Sequence, residues 1–129
     1  MLPLLVDVLR DPARIVALDL AGWDLLLRQA TNAGMVASLR AALAQAGLLD
    51  AVPPAPRCHF EWAEVAHVRH GRAVRFEVEQ IRRALHELAV PLILPKGSAY
   101  ALAKLPPGAG RIFSDVDILV PKERIGEVE

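Results

Sequence analysis

Apolar residues recur at helical spacing along most of this chain and change to strand spacing only near its end. Asp11-Pro12 predicts a helix start, because Asp can cap and Pro suits the first helical position. Ile15 and Leu18 then mark a short apolar face, and Gly22 breaks the pattern. Trp23, Leu26, Leu27 and Ala30 predict a second helix to Asn32, stopped by Asn32-Ala33-Gly34. Met35, Val36, Leu39, Leu43 and Ala46 predict a third, closed by Gly47. The prolines between Ala51 and Pro56 predict a linker or turn. Beyond it, residues 58–89 carry helical spacing, with Val74, Val78, Ile81, Leu85 and Leu88 on one face. Gly71 either divides that helix or weakens it, and Trp23 and Trp62 are expected to anchor helix packing.

The last third reads differently. Leu92-Ile93-Leu94, flanked by prolines, predicts a buried strand near 91–95. Gly97 is a turn residue, Ser98 to Leu105 can start a helix, and Pro106 to Gly110 is a loop. Val116, Ile118 and Val120 alternate with Asp115, Asp117 and Leu119, which predicts a second strand over 115–120. Lys122 to Glu129 begins a further helix. The expected fold class is therefore α+β (α/β-like). A helical N-terminal region, 1–56, precedes a region of a long helix and a strand–helix–strand core, 57–129. Two strands alone make a marginal sheet. The front helices would cover it, or further strands would come from missing sequence or from a partner chain, a second copy or another protein.

Composition narrows the class. The chain has 129 residues, 53% of them hydrophobic, with a mean hydropathy of +0.31. That is enough apolar material for a core and excludes a disordered segment. Fifteen basic and fifteen acidic residues cancel, so the strong positive field of a nucleic-acid binder is missing. A single cysteine, Cys58, excludes an intrachain disulfide and fits a cytoplasmic location. Met1 to Leu9 is interrupted by Asp7 and lacks a basic lead-in, so no signal peptide is expected. No run approaches the roughly 20 apolar residues of a membrane span.

Candidate chemistry lies between Lys96 and Asp117. On a strand, Asp115 and Asp117 would share a face and reach the same ion. Carboxylates and phosphate oxygens are the hard ligands that Mg²⁺ takes. Gly97 would let a phosphate approach the backbone at a helix start, with the Ser98 hydroxyl as an added donor. Lys96 and Arg111 supply cations nearby. Each motif has a plainer meaning, since Gly-Ser is a common turn and Asp-x-Asp a common solvated face. Their ordered combination is the stronger signal. Glu64, His67 and His70 share a helix at metal-like spacing, yet a surface role is expected of them. Arg69, Arg72, Arg75, Arg82 and Arg83 read as a solvated face, and Cys58 and His59 form no oriented nucleophile–base pair.

Leu94-Pro95-Lys96-Gly97-Ser98-Ala99, followed by Arg111 to Val120, resembles the nucleotidyltransferase-like proteins of the polymerase-β superfamily. More closely, it resembles the bacterial uncharacterised nucleotidyltransferase family. The resemblance implies nucleotide binding by Lys96, Gly97, Ser98 and Arg111. It implies that Asp115 and Asp117 are catalytic and bind two Mg²⁺ ions. ATP or another nucleoside triphosphate would be the substrate, attacked at its α-phosphate by an acceptor hydroxyl. Two departures stand out. Pro95 replaces a usual leucine, and the superfamily's third carboxylate lies on a later strand, whereas this chain ends at Glu129. The expectation is a C-terminally truncated copy that is inactive alone. Competing readings are a non-catalytic nucleotide-binding module and an antitoxin-like interaction partner.

Overall fold

Helical spacing in the sequence produces helices almost throughout. A computed structural model describes residues 1–129, and 70% of them are helical. The helices are α1 (Leu4–Arg10), α2 (Leu20–Asn32), α3 (Val36–Gln45), α4 (Pro54–Glu87), α5 (Lys96–Leu102) and α6 (Ile125–Val128), with short 3₁₀ turns between several of them. No helix is long and apolar enough to cross a membrane. The chain forms two compact units, Met1–His67 with Ala109–Arg111, and Val68–Gly108 with Ile112–Glu129. The division falls within α4.

The first unit is built on a continuous apolar cluster. Leu5, Val8, Ile15, Trp23, Leu26, Ala30, Leu39, Leu43, Val52 and Phe60 are buried together. Trp23 and Phe60 meet edge to face with centroids 6.4 Å apart. Helix ends are satisfied locally. The Asp19 side chain accepts from the Gly22 amide at 2.8 Å, so α2 begins before Gly22 instead of breaking there. The Gln29 side chain accepts the Leu5 amide of α1 at 2.9 Å. Pro54 and Pro56 stand in the first turn of α4, where an amide would lack a partner anyway, so the expected linker is a helix start. Gly110, at φ +69°, lies directly on α3, where a Cβ would come within 2.3 Å of the Ala37 carbonyl carbon. Trp62 does not anchor packing: it is 74% exposed.

The second unit begins with the C-terminal part of α4, which runs unbroken through Gly71. Its expected face is realised in the buried Val74, Val78 and Leu85, whereas Leu88 is exposed. Arg124 donates to the Leu88 carbonyl at 2.8 Å and pairs with Glu127.

The expected α+β class, with a strand–helix–strand core, is overturned. The protein is mostly helical and contains no strand or sheet. The segments near 91–95 and 115–120 meet in one isolated antiparallel bridge, Ile93 with Leu119, whose two hydrogen bonds measure 3.2 and 2.8 Å. The reason is proline. In this register the next facing pairs are 91 with 121 and 95 with 117, and Asp117 is the one residue of the four that has an N–H. Pro91, Pro95 and Pro121 occupy the other positions, and none has an N–H to give. The predicted burial of 92–94 fails with the ladder, for Ile93 is 60% exposed and Leu119 54%.

Candidate functional site

The turn into α5 is bent by its backbone. Pro95 is extended and offers no side-chain cap, and Lys96 then adopts φ +55°, a left-handed conformation that a side chain disfavours. This reverses the chain and projects the Lys96 ammonium outward. Gly97 and Ser98 turn inward and are buried. The Ser98 hydroxyl donates to the Pro95 carbonyl at 3.2 Å, which ties the turn shut. Gly97 lies under the ring of Phe113, and a Cβ there would come within 2.8 Å of Phe113 Cδ1. Glycine is required at this position by close packing against an aromatic ring.

Segment 112–120 completes the arrangement. Phe113 donates its amide to His70 Nε2 at 3.3 Å, and the two rings meet edge to face at 4.6 Å and 86°. Asp115 is exposed and Asp117 half-buried, with Val116, Ile118 and Val120 half-buried along the same stretch. Lys96 Nζ donates to Asp117 Oδ2 at 2.8 Å. That hydrogen bond is the main cause, with Coulombic attraction second, of a Lys96 pKa above its ordinary value. The ammonium therefore stays charged across the physiological range.

Of the residues singled out in the sequence, the structure joins Lys96 to Asp117 and seats Gly97 on Phe113. Arg111 is exposed and belongs to the first unit. Two carboxylates two residues apart suit Mg²⁺, which takes one or two carboxylates and completes its shell with phosphate and water. No group of three or more His, Cys, Asp or Glu side chains gathers among the described residues. His70 and Phe113 escaped the sequence reading as site residues. The signal for His70 was present: it extends the Val74, Val78 and Leu85 face one turn earlier, where a polar residue on an apolar face calls for a partner.

What emerges is a mostly helical protein that sets an acidic segment beside a basic turn. The chain belongs to the family described as uncharacterised nucleotidyltransferase, whose model matches residues 19–129, from the cap of α2 onward. No curated protein and no solved structure matches the chain.

Proposed function

We propose that this protein binds a magnesium–nucleoside triphosphate, such as Mg–ATP, and serves transfer of a nucleoside monophosphate to an acceptor hydroxyl. The observation that carries the reading is the 2.8 Å contact between Lys96 and Asp117, which joins two motifs 21 residues apart in a member of a nucleotidyltransferase family. Asp115 and Asp117 would hold Mg²⁺, which when bound offsets charge on the attacking and leaving oxygens. Lys96 pairs with Asp117, and a triphosphate would offer its ammonium a second anion within the swing of a flexible side chain. Gly97 and Ser98 would act through the shape of the turn that aims Lys96.

Calorimetric titration of Mg–ATP into the protein tests the reading. Binding is expected in the wild type, lost in Asp117→Asn, and weakened about tenfold in Lys96→Ala, as removal of one charge-assisted contact implies. A folded wild-type protein that takes up no Mg–ATP would overturn it. The inward Ser98 hydroxyl and the ring over Gly97 leave the turn itself closed to a phosphate, so contact with the nucleotide falls to Lys96 and the acidic segment, both in this reading and in a second one, nucleotide binding without transfer. Incubation with labelled nucleotide separates the two, since only transfer releases pyrophosphate.

A further inference from the structure

The acidic segment lacks the usual means of holding a backbone in place. From Arg111 to Ile118 it belongs to no helix, and the first ladder bonds come at Leu119. Yet Asp117 lies within 2.8 Å of Lys96, which requires the segment to follow one course. The Ile93–Leu119 bridge ties its downstream end, and a tie upstream of Asp115 would fix the other.

We propose that His70 is the positioning residue for this segment, latching Phe113 so that Asp115 and Asp117 are presented beside Lys96; the assignment rests on the nucleotide reading above. His70 stands on α4, one turn before Val74 on the face that carries Val74, Val78 and Leu85 into the core. A long helix is a rigid mount. From it the imidazole makes two contacts with one residue. Nε2 accepts the Phe113 amide at 3.3 Å, which fixes the direction of the backbone. The edge-to-face contact at 4.6 Å and 86° fixes the side chain.

Phe113 passes this constraint on. Its ring lies against Gly97, where even a methyl group would come within 2.8 Å of Cδ1. It is thereby wedged between His70 on α4 and the first turn of α5, the turn that aims Lys96. Asp115 follows two residues later and Asp117 four. One aromatic residue thus sets the acidic segment and the basic turn in register, and His70 is the polar group that holds it. The ring nitrogen facing Phe113 accepts a hydrogen bond, so it carries a lone pair there and the neutral ring bears its proton on Nδ1.

The test compares wild type, His70→Gln and His70→Phe by amide exchange at Phe113 and by Mg–ATP titration, with far-ultraviolet circular dichroism to confirm folding. Gln can place an acceptor near the position of Nε2, whereas Phe keeps a ring and loses the acceptor. His70→Phe is expected to speed exchange of the Phe113 amide about tenfold and to weaken Mg–ATP about tenfold, in keeping with loss of one hydrogen bond whose donor is left unpaired. His70→Gln should stay within about threefold of wild type in both, as the retained acceptor implies. If His70→Phe does not fold, His70→Asn, too short to reach, takes its place with the same expectation. Unchanged Phe113 exchange overturns the latch. Faster exchange with unchanged Mg–ATP affinity overturns its role in positioning, as does a folded Gln variant as impaired as Phe. A wild type that binds no Mg–ATP overturns the nucleotide reading and the role that depends on it, while the exchange result still decides the latch.

Discussion

The two units end their helices with the same hydrogen-bond pattern but different residues. After α2, α3, α4 and α5 an amide bonds to the carbonyl five residues back: Met35 to Ala30, Leu48 to Leu43, Val90 to Leu85 and Leu105 to Tyr100. Each ending needs a left-handed residue. The first unit supplies Gly34 and Gly47, at φ +66° and +71°. The second supplies Ala89 and Lys104, both at +52°, and adds Lys96 at +55°. Glycine adopts this conformation without strain, and a residue with a Cβ does not. The first unit also owns a continuous apolar cluster, while the second relies more on specific ties: His70 to Phe113, Lys96 to Asp117, and Arg124 to the Leu88 carbonyl. The unit that carries the candidate chemistry is the one that tolerates strain and is held by polar contacts.

Core truncation should separate the units most strongly. Leu39→Ala or Leu43→Ala, at fully buried positions of the first unit, is expected to lose about 2–5 kcal/mol in denaturant unfolding. Val78→Ala in the second should lose about 1–2 kcal/mol, at roughly 0.8 per buried methylene. Equal losses would erase the contrast. Next in size is a pair of glycines. Gly97→Ala forces a methyl into the Phe113 ring and should cost about 1–3 kcal/mol. Gly71→Ala, with nothing within 4 Å, should gain about 0.5–1 kcal/mol from helix propensity. Thermal melting of both variants checks the signs.

The helix endings offer a smaller, sharper test. Ala89→Gly and Lys104→Gly should each raise stability by about 1 kcal/mol, and Gly47→Ala should lower it by about as much. A loss on placing glycine at Ala89 would show that the strain there is illusory. The smallest effect is a pH dependence. Hydrogen bonds from Arg82 and then Arg83 hold the Glu79 carboxyl at about 2, below its ordinary 4.5. Its stabilising contribution is therefore fully present above pH 4.5 and is lost as pH falls toward 2. Glu79→Gln should flatten that part of the acid profile, with high salt shrinking the effect because the group is exposed.

Much of the helical architecture was legible in the sequence, because apolar spacing and glycine stops are local signals. Leu26, Leu39, Val74 and Leu85 all face the cores their spacing implied, and Gly34 and Gly47 stop their helices. The strands were misread because alternation reports which side chains share a face, whereas a ladder needs donors. Pro91, Pro95 and Pro121, read in the register of the Ile93–Leu119 bridge, remove three of the next four. That register is a long-range fact and could not be seen along the chain. The candidate residues were individually visible. The Lys96–Asp117 pairing was not, nor was the His70–Phe113 tie, because each joins positions far apart in sequence.

The first unit is also discontinuous in the chain, and this bears on the order of its assembly. Every residue of its apolar cluster lies between Leu5 and Phe60. During synthesis those helices can collapse before the second unit has been made, since domains tend to form as their residues emerge. The seat on Ala37, however, waits for Gly110 to arrive. Closing that long loop is entropically slow compared with the local helix contacts that precede it. Completion of the first unit is thereby tied to synthesis of residues 68–108 of the second, which precede Gly110 in the chain.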